Sequence, residues 1–398
     1  MNRRHLHFLP LTGTALAAAA LITACGGSSD DPSTGTMRLS LTDAPACGFD
    51  SVFVTVEKVR VHQSSSAADN DAGWSEVVLA APQRVDLLSL NNGTLLPLGQ
   101  TELPAGSYTQ MRLVLAANTP ATPMANALTP TGGAQTALTT PSGQQSGLKM
   151  NVNLAVPAGQ VADFAIDFDA CRSFVKAGNS GKYLLKPVLS VIPILSTAGQ
   201  RIVGFVDPSL VTAGTTISAQ LGGAPVRATP PDATGRFVLY PVPAGTYDLV
   251  ITASGRVNAV MTGVPVGETT STVIGSDAVR INTLVSDASA IASGVVTVSG
   301  SAADTNAAVR ATQTFSGGPT IEVGYSAADA VTGAYSMTLP VGASGKLAYA
   351  AGATTFAFVG DGSTNGVYKL EASAPGFVVQ PFGITLPPDV LKDFTFAP

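Results

Sequence analysis

The chain has 398 residues, of which 45% are hydrophobic and 12% charged, and its formal net charge at pH 7 is −5. A length of this order accommodates two to three domains. The hydrophobic content excludes an intrinsically disordered chain, and the scarcity of charged residues excludes a coiled coil. Because the charge balance is acidic, we expect no basic face for nucleic acid and no nucleic-acid partner.

The N-terminal segment has the pattern of an export signal. Arg3 and Arg4 precede an apolar stretch at residues 8–21, and small residues lead from that stretch to Cys25. The stretch is too short to span a bilayer as a helix, so we predict a secretory signal peptide.

The sequence Ile22-Thr23-Ala24-Cys25 resembles the lipobox of bacterial lipoproteins. The resemblance implies that residues 1–24 are removed and that Cys25 is acylated, which would anchor the chain to a membrane. No aspartate directly follows Cys25, and in that family its absence favours the outer membrane. Residues 25–35 are predicted to form a flexible tether. The alternative is an ordinary secreted protein with a coincidental cysteine.

Two further cysteines, Cys47 and Cys171, lie in the exported part of the chain. In an oxidising compartment such a pair predicts a disulfide, which would stabilise the fold by up to roughly 4–5 kcal/mol in the chain-entropy model. Two buried free thiols are the alternative. A metal site built from Cys and His is not expected, since His62 is the one histidine left after the signal peptide.

Residues 36–197 alternate between apolar and polar side chains in the manner of half-buried strands. Met37–Leu41 and Met111–Leu115 have a period of two, and residues 52–61 change phase, which predicts a β-bulge near Glu57-Lys58. Turns are expected at Asn91-Asn92-Gly93 and at Pro104-Ala105-Gly106. We predict an all-β domain, sandwich-like or barrel-like.

A series of segments in this domain points to a family. In chain order they are Leu41-Thr42-Asp43-Ala44-Pro45, Val85-Asp86-Leu87-Leu88, Leu103–Leu113, Ile166–Ala170 and Tyr183–Val188. The series resembles the domain-of-unknown-function 4382 family of bacterial lipoproteins over about residues 36–194. The resemblance implies a β-rich domain but no reaction, because that family has no established biochemical activity.

Residues 198–284 contain short apolar runs separated by turns. Asp232–Leu239 and Val242–Ile251 are predicted to pair as a β-hairpin, because Asp-Gly and Pro-Ala-Gly sequences turn the chain into each strand. The hairpin resembles the carboxypeptidase-regulatory-like module, a transthyretin-like β-sandwich also described as a carbohydrate-binding-like fold.

Residues 285–398 resemble a diverged second copy of this module. Thr332–Pro340 and Tyr368–Phe377 echo the two hairpin strands, and Val309-Arg310-Ala311-Thr312 echoes Val226-Arg227-Ala228-Thr229. An insertion rich in Gly, Ala and Phe separates the halves of this copy. We therefore predict two tandem Greek-key β-sandwiches after the first domain.

The motifs favour a protein without catalytic activity and without a cofactor. A Ser-His-Asp triad would have to use His62, which ends a strand beside a polar loop and is better explained as a surface or structural residue. No G-x-S-x-G elbow, P-loop or dinucleotide fingerprint is present. Ser173–Lys176 matches S-x-x-K, but the companion K-T-G motif is missing.

Two groups of residues are candidate binding sites. Trp74 stands beside the acidic loop of Asp69 and Asp71 and could form a ligand edge, or it could anchor a hairpin. The acidic residues near Cys171 could bind calcium, or they could cap turns and helices. Those calcium candidates are Asp163, Asp167 and Asp169.

The sequence thus predicts a non-catalytic, lipid-anchored protein of the cell envelope. The first hypothesis is a binding or adhesion module for a polysaccharide or a protein. The alternative is a structural scaffold of the envelope without a small ligand. A hydrolase, or an accessory protein of one, is the weakest hypothesis.

Overall fold

The computed structural model describes residues 33–43, 48–141, 143–144, 146–212, 214–299 and 306–397. Within these ranges the chain consists of β-strands, one short α-helix and a few 3-10 turns, so the predicted all-β fold class is confirmed. None of the described helices is long and apolar enough to cross a membrane. The predicted signal peptide, Cys25 and Cys47 lie outside the described residues.

In the described part of the first module we number twelve strands. They are β1 (Thr34–Asp43), β2 (Phe49–His62), β3 (Ser75–Asp86), β4 (Leu96–Pro104), β5 (Gly106–Leu115), β6 (Ala127–Pro130), β7 (Thr136–Thr139), β8 (Leu148–Val156), β9 (Val161–Phe168), β10 (Phe174–Lys176), β11 (Tyr183–Leu185) and β12 (Leu189–Pro193). The helix α1 (Ala170–Ser173) follows β9, and 3-10 turns span Leu87–Leu90 and Gly178–Ser180.

The first module is a sandwich of two sheets. One sheet has the order β12-β9-β1-β4, and the other has the order β10-β11-β7-β6-β2-β5-β8 with β3 paired to β2. Met37, Leu39 and Leu41 of β1 are fully buried between the sheets, as their alternation predicts. The predicted bulge is confirmed, because the register of β2 shifts between Val56 and Lys58.

The middle module contains β13 (Ile202–Phe205), β14 (Thr216–Leu221), β15 (Ala224–Thr229), β16 (Arg236–Leu239), β17 (Gly245–Thr252), β18 (Ala259–Val266) and β19 (Thr272–Ile274). The third segment contains β20 (Ala288–Val298), β21 (Ala308–Thr314), β22 (Thr320–Ala327), β23 (Ala334–Val341), β24 (Gly345–Ala348), β25 (Val359–Gly360), β26 (Val367–Ser373), β27 (Gln380–Thr385), β28 (Val390–Leu391) and β29 (Phe394–Phe396). Further 3-10 turns span Pro208–Leu210 and Gly362–Thr364.

The third module repeats the strand order of the middle module. The middle module pairs β16-β13-β19 in one sheet and β15-β14-β17-β18 in the other. β16 and β17 therefore lie in different sheets, and the predicted pairing of Asp232–Leu239 with Val242–Ile251 as a hairpin is wrong, because residues 240–244 carry the chain from one sheet to the other instead of reversing it within one sheet. The third module pairs β23-β20-β28 in one sheet, with β29 also on β20, and β22-β21-β26-β27 in the other. In both modules the last strands run parallel to the first strand.

Matching glycine turns precede equivalent strands of the two modules. Gly235 and Gly333 have φ values of +84° and +69°. A Cβ atom at Gly235 would lie 2.4 Å from the carbonyl oxygen of Val206, and one at Gly333 would lie 2.2 Å from that of Val296. Both positions therefore require glycine for its backbone conformation and for its lack of a side chain.

The Val-Arg-Ala-Thr echo does not mark equivalent positions. Arg227 lies on the edge strand β15, whereas Arg310 lies on β21, which corresponds by its pairing to β14. Four residues of alternating character fit many strands, so such an echo cannot fix which strands correspond.

The predicted insertion of the third module completes the sheet of the middle module. The hairpin β24–β25 leaves the third module, and β24 pairs in parallel with β18. Phe358 of this hairpin is 8% exposed and packs in the core of the middle module. Without β24, the edge strand β18 would expose unpaired backbone N–H and C=O groups. The strand from the third module covers this edge.

The opposite face of the same sheet packs against the third module. Val250 and Val260 of the middle module form a small buried cluster with Phe315 and Ile321. The middle sheet is therefore covered on both faces and at one edge, and the last two modules share apolar surface beyond their own cores.

We expect Phe358→Ala to destabilise the middle module by about 3 kcal/mol, because it removes a ring from that module's core. The free energy of unfolding from urea titration measures the loss. Val359→Ala, in the same hairpin but 70% exposed, is the matched control and should change stability by less than about 0.5 kcal/mol. Equal effects of the two substitutions would contradict the docked hairpin.

Candidate functional site

The carboxyl ends of two parallel strands place acidic residues at one end of the first module. β1 and β9 run side by side, with Asp43 opposite Phe168. Asp169 follows β9 and caps α1, since its Oδ1 accepts a hydrogen bond from the Arg172 N–H at 3.2 Å. The Ala170 N–H donates to Oδ1 of Asp43 at 3.0 Å. The carboxylates of Asp43 and Asp169 therefore both accept hydrogen bonds from backbone N–H groups of the short helix.

Arg227 of β15 reaches into this end of the first module. Its guanidinium forms an ion pair with Asp167, and it donates to Thr42 Oγ1 at 2.5 Å and to the Asp43 carbonyl at 3.0 Å. The side chains of Arg227 and Asp167 are 2% and 10% exposed. A buried ion pair with these additional hydrogen bonds thus joins the middle module to the first.

Arg172 joins the first module to the third. Its guanidinium forms an ion pair with Glu322 of β22 and lies 4.6 Å from the ring centroid of Tyr325. Glu322 is 5% exposed at its side chain and also lies 3.5 Å from Arg310. Its backbone N–H donates to Oε1 of Gln220, and its carbonyl oxygen accepts a hydrogen bond from Nε2 of the same side chain. All three modules therefore meet at Glu322.

Two further contacts connect the first and third modules directly. The Gly178 N–H donates to both carboxylate oxygens of Asp329, at 3.0 and 2.9 Å. The Ala330 N–H donates to the Lys176 carbonyl at 2.9 Å. The turn that carries Gly333 thus also holds the β10–β11 hairpin.

Cavities lie between the modules at this junction. One, which we call the polar cavity, has a volume of about 190 Å³. The other, which we call the aromatic cavity, has a volume of about 460 Å³. Both are bordered by Cys171 and Tyr325. The polar cavity is lined by side chains from all three modules, among them Asp169, Arg172, Ser218, Gln220, Glu322 and Tyr325. The aromatic cavity lies between the first and third modules, with Phe49, Phe174, Tyr183 and Tyr325 in its wall.

Burial raises the pKa values of three carboxylic acids at the junction. It raises the pKa of Asp169 to about 6, although Arg172 opposes the shift. Burial raises the pKa of Asp43 well above its usual range, and the neighbouring Asp167 adds to that rise. The pKa of Glu322 is also raised by burial, against the attraction of Arg172 and Arg310. Protons therefore bind these carboxylates more tightly in the folded chain than in the unfolded one.

The pKa of Asp169 gives a pH test. Because its folded value of about 6 exceeds the unfolded value of about 4, its contribution to stability falls as pH rises between these two values. Asp169→Asn keeps a helix cap but removes this titration. We expect the variant to gain stability relative to the parent chain between pH 4 and pH 7, as measured by urea unfolding. A difference that is independent of pH would contradict the burial of this carboxyl group.

Two ion pairs on β9 give a matched test of the junction. Arg227→Met leaves Asp167 buried without its partner and should cost about 3–5 kcal/mol in unfolding free energy. Arg38→Met removes the partner of Asp163, but Arg38 is 52% exposed, so the cost should stay below about 1 kcal/mol. Equal costs would contradict a buried ion pair between the modules.

The three predicted calcium candidates each have a cationic partner. Asp163 pairs with Arg38, Asp167 with Arg227, and Asp169 with Arg172 at 3.3 Å. Nowhere in the described ranges are three or more His, Cys, Asp or Glu side chains grouped so that they could hold a metal ion. These contacts favour the capping and pairing interpretation of the aspartates.

Trp74, the predicted ligand edge, lies half-buried at the end of the β2–β3 hairpin. Its Nε1–H donates to the Ala68 carbonyl at 2.9 Å. The guanidinium groups of Arg60 and Arg112 lie 4.5 and 4.7 Å from its ring, and the ring of His62 lies at 5.1 Å. These contacts anchor the loop, and a ligand contact at Trp74 stays a prediction.

The two aspartates beside Trp74 also bond within the loop. Asp69 pairs with Arg112, whose side chain is 5% exposed. Oδ2 of Asp71 accepts a hydrogen bond from the Ala68 N–H at 2.8 Å. Both residues lie in the predicted acidic loop, and both hold its conformation.

The residues that sequence motifs single out for catalysis have structural contacts. His62 Nδ1 accepts the Ser64 N–H at 2.8 Å, so Nε2 carries the proton and donates to the Ala72 carbonyl at 2.9 Å. Ser173 of the S-x-x-K match is fully buried, and its Oγ accepts the Val188 N–H at 2.8 Å.

One of the two cysteines of the predicted disulfide, Cys171, lies at the junction. Cys171 is on α1 and borders both cavities. Cys47 lies outside the described residues, so the pairing stays a prediction, as does acylation of Cys25.

Sequence patterns missed the residues that build the junction. Arg172, Gln220 and Glu322 belong to no recognised motif, and their partners lie up to 150 positions away in the chain. In the sequence, Arg227 stands out only as part of the Val-Arg-Ala-Thr repeat. One signal was available: segment 170–206 contains five Lys and Arg residues and no Asp or Glu.

Comparison with known families gives one match. Residues 34–187 match the family described as Domain of unknown function (DUF4382), which agrees with the resemblance of the first module. No curated protein is similar enough to the chain to count as a match.

Solved structures match the chain at low sequence identity and with low TM-scores. The Streptococcal ancillary pilin is 11% identical, over 92% of this chain and 99% of that one, with a TM-score of 0.19. The major pilin SpaA of Corynebacterium diphtheriae is 9% identical, over 91% and 99%, with a TM-score of 0.20. A type II cohesin-X-dockerin complex from Acetivibrio cellulolyticus is 22% identical, over 22% and 60%, with a TM-score of 0.18.

The chain thus spans less than two thirds of the cohesin-complex chain that it matches. The class that fold and family match define is therefore a multi-module all-β protein whose first module resembles a family of unknown function.

Proposed function

We propose that the chain is a non-catalytic, lipid-anchored protein of the bacterial cell envelope that acts as a binding unit for a polysaccharide or a protein. The family match of the first module and the lipobox-like sequence at Cys25 support the envelope location. The observation that carries the binding role is the pair of cavities at the junction, because ligand sites form preferentially between domains.

Anchoring would follow from acylation of Cys25. Each buried CH₂ group of an acyl chain contributes about 0.8 kcal/mol, so three acyl chains would attach the protein firmly to the membrane. The predicted tether would let the modules stand away from the lipid surface, but it ends before Thr34, because Thr34 and Gly35 already pair with β4 as part of β1. We propose the outer membrane, since no aspartate follows Cys25.

A disulfide between Cys47 and Cys171 is part of this proposal. Cys47 lies four positions after Asp43, and Asp43 bonds the N–H of Ala170, the neighbour of Cys171. An oxidising envelope compartment would favour the bond.

The anchor is tested by the variant Cys25→Ser. We expect the parent chain to sediment with membranes and to carry acyl groups detectable by mass spectrometry of its N-terminal peptide. The variant should be soluble and unacylated, while its urea unfolding midpoint stays unchanged. A parent chain that is cleaved but carries no lipid would contradict the anchor.

A scaffold without a small ligand is the second candidate. The observation in its favour is the union of the modules by the shared sheet and the buried ion pairs. Such a union would suit a spacer that holds partners at a fixed distance.

Binding is tested with the lipid-free Cys25→Ser protein immobilised on beads and exposed to purified envelope polysaccharides and solubilised envelope proteins. The binding proposal expects saturable capture of one of these components, lost when the modules are unfolded by urea. Capture of none at micromolar concentrations would leave the scaffold as the better account.

A further inference from the structure

The β10–β11 hairpin is a basic element in an acidic protein. It carries Lys176 and Lys182, and Arg172 and Lys186 flank it, with no Asp or Glu between positions 170 and 206. No ion pair joins Lys176 or Lys182 to a carboxylate in the described part of the chain, and both side chains are exposed. The hairpin therefore presents positive charge to solvent, against a chain whose net charge is −5.

The same hairpin forms one wall of the aromatic cavity. Lys176, Asn179 and Tyr183 line this wall, and Phe49 of β2 lies beside them. The rings of Phe49 and Tyr183 meet edge to face at 5.8 Å, and Phe49 meets Phe174 at the same distance. Phe49 and Tyr183 are only half-buried, so these rings offer apolar surface at the cavity.

The opposite wall comes from the third module. Tyr325 and Thr332 line it together with Asp329. The carboxylate of Asp329 accepts N–H groups of Gly178, Val331 and Thr332. Although burial opposes the shift, these donors lower the pKa of Asp329, and Oδ1 accepts three of the four contacts. Among the described residues that line this cavity, Lys176 is the one cation, and it forms no ion pair with a described carboxylate.

A volume of about 460 Å³ fits one or two sugar rings, since small-molecule pockets begin at about 300 Å³. Aromatic rings pack on the apolar face of a pyranose, while hydroxyl and amide groups such as those of Thr332 and Asn179 bond its hydroxyls. An ammonium group adds preference for an anion. We infer that the aromatic cavity binds an acidic saccharide, with its carboxylate or sulfate on Lys176 and its ring against Tyr183.

This inference rests on the proposed binding function and specifies its ligand. Electrostatic attraction by Lys176 and Lys182 should make the binding sensitive to salt. A neutral saccharide would keep the ring contacts but lose the charge-assisted hydrogen bond.

The test uses the lipid-free Cys25→Ser protein and a panel of oligosaccharides that bear carboxylate, sulfate or no charge. The panel includes oligogalacturonate and its methyl ester, in which a methyl group on each carboxylate removes the charge. We expect saturable binding of acidic members by calorimetry, weakened by about tenfold or more in the neutral counterpart. We expect the same loss in Lys176→Met and in Tyr183→Ala.

Two control variants separate the cavity from general effects. Tyr183→Phe keeps the ring, and Lys149→Met removes an exposed lysine on β8, away from the aromatic cavity. Both should bind like the parent protein. All variants should keep the parent's urea midpoint, and Tyr183→Phe with Lys176→Met still tests the cavity if Tyr183→Ala is unstable.

Three outcomes would overturn the inference. They are no binding of any acidic member, equal binding of acidic and neutral members, and binding that Lys176→Met leaves unchanged. Binding to vesicles of phosphatidylglycerol in place of the saccharides would overturn it as well. If the immobilised protein still captures an envelope component in any of these cases, the proposed binding function stands and only its ligand assignment fails.

Discussion

The buried ion pair between Arg227 and Asp167 is the interaction on which the arrangement of the modules depends. Removing a guanidinium and a carboxylate from water costs several kcal/mol per ion, and only close pairing with further hydrogen bonds offsets this cost. Arg227 has those bonds, to Thr42 and to the Asp43 carbonyl. They fix the middle module to the carboxyl ends of β1 and β9. The same strand ends carry α1 and therefore Arg172, which binds the third module through Glu322. The carboxyl ends of two neighbouring strands of one sheet thus carry the contacts with both other modules.

The middle module is held a second time from its other side. Its edge strand β18 receives β24 from the third module, and its sheet packs against Phe315 and Ile321. In the third module, β27 occupies the place of β18 and carries Pro381 and an exposed Phe382. A proline on an edge strand removes a backbone donor and so discourages further pairing. The sheet of the middle module is therefore extended by a strand of the third module. The equivalent edge of the third module carries Pro381, which discourages the addition of a further strand.

Local features of this fold could be predicted from the sequence, because they depend on neighbouring residues. The alternation of Met37, Leu39 and Leu41 and the bulge after Val56 follow from side-chain period alone. The turn at Gly235 follows from its Asp and Gly residues. The junction depends on contacts between distant residues, such as Arg227 with Asp167 and Arg172 with Glu322. No short pattern marks such pairs, and the Arg227 echo matched a strand with a different place in the sheet. Trp74 was visible as a candidate because tryptophan is rare in this chain, but rarity does not tell whether the ring faces a ligand or its own loop.

The central claim is that the junction makes the three modules one cooperative unit. Differential scanning calorimetry of the lipid-free protein tests this most directly, because it counts cooperative units without a probe. The account predicts a single transition in which the calorimetric enthalpy equals the van't Hoff enthalpy. Two or more separate transitions, or a calorimetric enthalpy several times the van't Hoff value, would show that the modules unfold independently and would contradict it.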